Sequence, residues 1–247
     1  KAEYINNEIH LTVGSASGES EDQMIKADAL LIAAGRIPNI ENLNLDVAGV
    51  KHDRNGITVN NYLQTSQKHI YACGDIAGPY QFTHTADAQA RVVIRNIMMP
   101  LQVLRQKIDH SVVPWSTYTS PEVAHVGLSK TDAKEKGIEY DLYTQKLSEV
   151  DRAIVESETE GFAEVLTETG SDKILGVTIV SAHAGDLLHE FVLAIKHNIG
   201  LAAISSTIHA YPTFAEIARK IGDKYNRTRL TPRAMSLFTW LYKRARK

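Results

Sequence analysis

The stretch Ile70-Tyr71-Ala72-Cys73-Gly74-Asp75-Ile76-Ala77-Gly78 constrains this chain more than any other. A short apolar, β-prone run breaks at a glycine followed by an acid, the pattern of a buried parallel strand that ends at a ligand-facing loop. In open α/β sheets the loops at the carboxyl ends of strands are where ligands bind, so Asp75 is placed to accept from a hydroxyl donor. The plainer reading of the same residues is an ordinary strand, loop and helix with a solvated carboxylate. Cys73 is the only cysteine. An internal disulfide and a Cys-rich metal site are thereby excluded, a reducing compartment is favoured, and the thiol reads as inert and buried.

At 247 residues with 43% hydrophobic side chains, the chain has material for one large domain or two ordinary ones. No apolar run approaches the roughly 18 to 20 residues of a membrane span, and no leader begins at Lys1. A soluble, globular protein is expected, and the lack of an initial Met points to a piece of a longer one. Ten histidines invite a search for a metal site, but no two stand four apart and no His-Glu-x-x-His occurs. No metal is expected. Nothing suggests a nucleic-acid partner.

Taken in order, Ile9 to Val13 alternates like a strand, Gly14 to Asp22 reads as a turn, and Ala27 to Ala34 is an apolar run that reads as a further strand. Asn42 to Asn61 is a connection of short turns, with Asn55-Gly56 before the strand-like Ile57-Thr58-Val59. Beyond the central stretch, Thr83 or Thr85 can cap a helix from about Ala86 to Met99. Its apolar positions are Ala86, Ala90, Val93, Ile94 and Ile97. The chain changes character after Pro114. Strands are expected at Val112–Trp115, Glu122–Gly127, Tyr140–Gln145, Gly161–Glu168 and Ile174–Val180. Helices are expected at Thr131–Lys136 and Gly185–Asn198, the latter with Leu187, Leu188, Phe191, Val192 and Ile195 on one stripe. Grouped strands with helices to one side indicate an α+β layer, not a continued parallel sheet.

Flanked by Ala33-Ala34-Gly35-Arg36-Ile37-Pro38-Asn39 and by His209-Ala210-Tyr211-Pro212-Thr213-Phe214-Ala215-Glu216, the central stretch resembles the flavin-contacting motif of the pyridine nucleotide-disulfide oxidoreductases. That family includes dihydrolipoamide dehydrogenase, glutathione reductase and mercuric reductase. Ser120 to Gly127 and Asp151-Arg152-Ala153 are similar to its interface domain, through which two subunits pair. The resemblance implies the end of a nicotinamide-nucleotide domain over 1–40, part of a Rossmann-like FAD domain over 41–110 and an α+β dimerisation domain over 111–230. It also implies FAD and NAD(P)H as cofactors and a homodimer. Asp75, after Gly74, would bond the ribityl chain while Gln81, Phe82, Thr83 and His84 lie along the isoalloxazine. A helix amino terminus beside them would favour the negative charge of a reduced ring. Gly35 and Arg36 match the motif that closes the nicotinamide domain, although a Gly-Arg turn between domains reads equally well.

In the disulfide reductases of this family a histidine precedes the Pro-Thr pair, reaches the other subunit's flavin and is oriented by a later glutamate. Tyr211 stands at that position here, with Pro212, Thr213 and Glu216 in place and His209 two residues early. An imidazole with a pKa near 6.5 exchanges protons at neutral pH, and a phenol near 10 hardly does. The substitution therefore argues against dithiol–disulfide exchange. Mercuric reductases also carry a tyrosine there, but their paired cysteines near the carboxyl terminus are missing. The resemblance makes Tyr211, Glu216 and His209 the catalytic candidates, adds Pro212 to the cofactor contacts, and implies a cis Tyr211-Pro212 bond. Alternatively, Thr213-Phe214-Ala215-Glu216 is a capping box opening a helix that runs to Gly222.

Residues 219–247 carry ten Lys or Arg against one acid, a net +9 that leaves −11 for the remainder. Thr231 and Pro232 open a helix whose apolar face holds Met235, Phe238, Leu241 and Tyr242, while Lys243, Arg244, Arg246 and Lys247 load its end. Such a helix over 231–247 docks on its own dimer or lies on an anionic membrane surface. Two functions stay open. One is part of a cytoplasmic FAD-dependent NAD(P)H oxidoreductase, peripheral to the inner membrane in the second reading of the tail, that passes electrons to a small-molecule or metal-ion acceptor. The other is a non-catalytic dimerisation module. With no Gly-x-Gly-x-x-Gly and no Cys-x4-Cys, flavin pyrophosphate binding and dithiol chemistry would need residues upstream.

Overall fold

The computed structural model describes residues 1–14, 22–99 and 101–246. The turn expected over Gly14–Asp22 lies, apart from its two ends, outside the described residues, as does Lys247. The chain opens with an antiparallel meander of β1 (Ala2–Ile5), β2 (Glu8–Val13) and β3 (Gln23–Ala27). Asn6 and Asn7, at φ 51° and 68°, turn the first hairpin, the left-handed pair that a two-residue turn demands.

The apolar run Ala27–Ala34 is not the expected strand. Pairing ends at Ala27, and Leu31 and Ile32 beyond it are 89% and 79% exposed. A strand is a hydrogen-bonded pair, and among the described residues nothing pairs with this run. The same correction applies to the central stretch: Ile70–Cys73 holds one isolated antiparallel bridge, Tyr71 to Gln64, and no parallel ladder. It is nonetheless partly buried. Ala72 and Ala77 join Val50 and Ile57 in a small core under a ribbon of two-residue strands, β4 (His52–Asp53) and β5 (Gly56–Ile57).

Helix α1 spans Thr83–Met98. Neither Thr83 nor Thr85 caps it, because Thr83 is already helical and Phe82 is the N-cap. The face it buries is also not the apolar one. Thr85, Gln89, Val92 and Asn96 are buried, while Ile94 and Ile97 face solvent. The reason is hydrogen bonding. Asn96 donates to the carbonyls of Tyr62 and Gln106 and accepts from the Gln106 N–H at 2.7 Å, and so holds the following connection. Gln89 and Asn96 are satisfied there, as buried polar groups usually are, whereas the Thr85 hydroxyl has no partner among the described residues.

From Trp115 onward the expected α+β layer is present. Strands β6 (Trp115–Thr117), β7 (Glu122–Gly127), β8 (Tyr140–Lys146), β9 (Phe162–Glu168) and β10 (Ile174–Ser181) form one antiparallel sheet ordered β6-β7-β10-β9-β8. The first begins three residues later than the sequence suggests. Short helices α2 (Lys130–Lys136) and α3 (Asp151–Val155) lie in the connections. Helix α4 (Ala184–Lys196) buries Leu188, Phe191 and Ala194 against Val126, Val165, Val177 and Ile179 of the sheet. Burial of one Leu- or Phe-sized side chain contributes about 1.5–3 kcal/mol, which makes this the main stabilising core.

Helices α5 (Leu201–Ser206), not apparent in the sequence, and α6 (Glu216–Thr228) complete that core through Leu201, Ile204, Ile217 and Ile221. The capping box does not form. Ala215 is the N-cap, Thr213 donates its hydroxyl to the Ala210 carbonyl at 2.7 Å, and α6 runs past Gly222. Helix α7 (Pro232–Ala245) starts as expected, with the Thr231 hydroxyl accepting from the Ala234 N–H, and none of its residues is buried.

Candidate functional site

The loop that opens α1 is built by one buried amide. Gln89 is fully enclosed; its Oε1 accepts from the Gly74 N–H at 2.7 Å and its Nε2 donates to the Ala77 carbonyl at 3.2 Å. The Ala77 N–H closes the turn on the Gly74 carbonyl at 2.9 Å. From the other side the Ile57 N–H donates to the Ile76 carbonyl at 2.7 Å. That approach requires Gly56, since a Cβ there would lie 2.4 Å from the same oxygen and its φ is +121°. The loop is therefore gripped between α1 and the β4–β5 ribbon, and Asp75 projects from a rigid support.

Asp75 remains 42% exposed at its side chain, and among the described residues its ion pair is with Arg36, Nη1 to Oδ2, at 3.6 Å. Arg36 Nη1 also donates to the Gln81 carbonyl at 3.4 Å. An exposed pair of this length is worth about 0–1 kcal/mol, so a hydroxyl can replace it at the carboxylate with little loss. Gly35, Arg36, Pro38, Tyr80, Gln81 and Phe82 line one cleft of about 700 Å³. Phe82 stacks between Tyr80 and His84, at centroid distances of 6.3 and 5.1 Å. His84 is turned toward the α+β layer, its Nε2 2.8 Å from the Pro114 carbonyl. With no side-chain cap and no acid in its first turn, α1 presents unpaired N–H groups and partial positive charge beside this cleft.

Tyr211 belongs to a second cluster. Its bond to Pro212 is cis, as the resemblance implies. Its ring is 69% exposed, and its hydroxyl donates to Asp151 Oδ2 at 2.8 Å. The hydrogen bond to Asp151, followed by that carboxylate's charge, raises the phenol above its ordinary pKa of 10. Tyr211 is thus a hydrogen-bond donor held in its protonated form. Among the described residues Glu216 makes no hydrogen bond to it, although its charge is a lesser cause of the same shift. Glu216 Oε1 pairs with Arg219 Nη2 at 2.7 Å, and its buried Oε2 has no partner among the described residues. His209 is pinned at both ring nitrogens, Nε2 3.0 Å from Glu190 Oε1 and Nδ1 2.9 Å from the Thr207 carbonyl.

The sequence candidates thus fall into two groups, with no hydrogen bond or ion pair joining them among the described residues. Gly35, Arg36, Gln81 and Phe82 line the cleft, Asp75 meets it through Arg36, Gly74 is tied to α1 by Gln89, and Thr83 and His84 open that helix. His209, Tyr211, Pro212 and Glu216 belong to the α+β layer, between α5 and the start of α6. Gln89 was not identified from the sequence, and Asp151 was marked there only by its likeness to the interface domain, not as the partner of Tyr211. Polar residues recurring at 85, 89 and 96 beside the apolar stripe are the signal that marks the first. The interface-domain motif marks the second, but not its meeting with Tyr211 across 60 positions.

Replacing Asp151 with Asn removes the charge that disfavours the phenolate and offers the oxygen an amide N–H in place of a carboxylate that only accepts. In ultraviolet difference titration, with Tyr211→Phe to isolate the group, the Tyr211 midpoint should move to lower pH. The stabilisation this pair gives the fold is present below the ordinary tyrosine range and is lost as pH rises through the raised value. An unmoved midpoint would mean the contact is not made in solution.

A family model described as "Pyridine nucleotide-disulphide oxidoreductase, dimerisation domain" matches residues 113–221, and one described as "Pyridine nucleotide-disulphide oxidoreductase" matches residues 2–90. The chain is 38% identical over 197 residues to mercuric reductase of Staphylococcus aureus, covering 79% of this chain and 36% of that protein. It is 39% identical over 191 residues to dihydrolipoyl dehydrogenase of Chlamydia muridarum, covering 77% and 40%. The chain therefore spans less than half the length of these curated relatives. The HOCl-induced flavoprotein disulfide reductase RclA from Escherichia coli shares the fold, with a TM-score of 0.78 at 23% identity over 90% of this chain and 49% of that one.

Proposed function

The chain belongs to the pyridine nucleotide-disulphide oxidoreductase family, and from that membership we propose that it supplies the second flavin-contacting segment and the dimerisation domain of an FAD-dependent NAD(P)H oxidoreductase. On this reading residues 1–40 close the nicotinamide-nucleotide domain, 41–110 belong to the FAD domain, 111–230 pair two subunits, and 231–247 form a separate helix. The protein works as a homodimer in a reducing cytoplasm.

The residues present fit a flavin. Asp75 holds free acceptor positions for a sugar-alcohol hydroxyl, the cleft beside it is walled by Arg36 and aromatic rings, and the uncapped start of α1 suits an electron-rich ring. When bound, FAD supplies the hydride-accepting ring that connects NAD(P)H to an acceptor. Gln89 keeps the turn rigid, Arg36 yields its contact with Asp75 to the ligand, and His84 ties the start of α1 to the dimerisation layer. Tyr211, its one O–H given to Asp151, stands at the partner subunit's site as a neutral phenol whose oxygen can accept a hydrogen bond, and it takes no proton.

The observation that carries the acceptor class is the Tyr211–Asp151 bond of 2.8 Å. A phenol held this way is a poor base for dithiols, which favours a small-molecule or metal-ion acceptor, as in a mercuric-reductase-like enzyme. A second reading, a dihydrolipoamide-dehydrogenase-like disulfide reductase, is favoured by the His209–Glu190 pair at 3.0 Å, a histidine already coupled to a carboxylate.

The test is flavin retention and turnover in the full protein. A hydrogen bond to a charged group contributes about 1.5–3 kcal/mol, so Asp75→Ala should weaken flavin binding about tenfold to a hundredfold. Unchanged flavin content would remove Asp75 from the site. Tyr211→Phe should slow reduction of a metal ion or quinone more than His209→Asn does, and the reverse order with a disulfide substrate would establish the second reading.

A further inference from the structure

Helix α7 stands clear of the chain that carries it. None of its residues is buried, and among the described residues none of its bases joins an ion pair. At about 100° per residue, Leu237, Leu241, Phe238, Tyr242 and Met235 fall on one continuous arc of about 160°, filled in by Ala234 and Ala245. Arg233 and Arg244 border that arc on one side and Arg246 on the other. Trp240 lies outside the first border, and the Arg244 guanidinium sits over its ring, 5.4 Å from the centroid. From Lys224 to Lys247 the sequence carries eight bases and no acid.

We propose that α7 is an in-plane anchor for an anionic lipid surface. An apolar arc bordered on both sides by arginines matches a bilayer boundary, where hydrocarbon lies below and phosphates surround the helix at headgroup level. Long basic side chains reach those phosphates while their stems stay along the apolar face. Trp240 and Tyr242 are the amphipathic rings that settle at such a boundary.

Two competing occupants fit less well. A second copy of α7 against the first would bring like charges together, with no acid in either helix to offset them. The 14 residues of α7 rise about 21 Å, short of a hydrocarbon core of about 30 Å, and carry charged residues at both ends of the helix, which suits a helix lying in the surface. Among the described residues no helix is long and apolar enough to cross a membrane.

The test is co-sedimentation of the full protein with phosphatidylcholine vesicles, with and without phosphatidylglycerol. Light-scattering mass in solution is measured in parallel. Binding should be at least about tenfold tighter with the anionic lipid, weaken as salt rises, and drop about tenfold or more in Phe238→Glu at unchanged mass. Arg233→Gln with Arg244→Gln should weaken binding to anionic vesicles alone. If the protein binds neither vesicle and Phe238→Glu lowers the mass, α7 is a subunit contact and the proposal fails. Equal vesicle binding by wild type and Phe238→Glu would also overturn it, because the lipid site would then lie elsewhere.

Discussion

Gln89→Leu should destabilise the protein by about 2–5 kcal/mol, although it adds apolar surface to a buried position of nearly the same size. The wild-type amide satisfies the Gly74 N–H and the Ala77 carbonyl at once. Leucine leaves both unpaired, and each buried unpaired polar group costs about 1–3 kcal/mol. Gln89→Glu separates the two halves of the effect. It still accepts from Gly74 but sets an oxygen against the Ala77 carbonyl and buries a charge, so it should be no better than leucine. Urea unfolding at constant slope is the measurement, and a loss under about 1 kcal/mol would mean that solvent already reaches the turn. Because the turn carries Asp75, the proposed flavin role adds that the full protein bearing Gln89→Leu should lose flavin affinity while its light-scattering mass is that of the parent.

Gly176→Val should prevent the α+β layer from closing, at about 4 kcal/mol or more. A Cβ at Gly176 would lie 2.0 Å from the Leu128 carbonyl oxygen and 2.5 Å from its nitrogen, both backbone atoms. Its cross-strand partner is Gly127, where a Cβ would meet the Leu175 carbonyl at 2.4 Å. The two glycines let β7 and β10 approach where the Leu128 N–H reaches the Leu175 carbonyl at 2.9 Å, and there β10 also shifts its register against β9, between Ile174 and Gly176. Flexible side chains can move aside, but paired backbone in the middle of a five-stranded sheet cannot without breaking the ladder. Loss of cooperative unfolding, or failure to accumulate as a dimer, is the expected result. Unfolding at the parent's midpoint would show that the sheet tolerates separation there.

Legibility in the sequence followed the range of the interactions. Strands β7, β8, β9 and β10 and helix α4 were placed within a residue or two, because alternation and helical spacing are local and the same layer buries them all. Apolar content at Ala27–Ala34 and Ile70–Ala72 was equally plain. Whether an apolar run becomes a strand depends on a neighbour it can pair with, which its own residues do not state. The caps failed for a related reason. Thr83, Thr85 and Thr213 have the right chemistry, but the chain enters α1 and α6 one to three residues away from where each would be useful.

The amino-acid order by itself determined the layer of antiparallel strands under α4, the start of α7 and the family motifs, since each is a pattern of neighbours a few residues apart. Tertiary structure alone decided which face of α1 is buried and what Tyr211 holds. Gln89 is enclosed because two backbone groups 12 and 15 positions away need partners. Tyr211 keeps its proton because the fold carries Asp151 to it across 60 positions. A hydrogen bond between distant residues exists only once the backbone has brought its two ends to within about 3 Å, and no local pattern encodes that meeting.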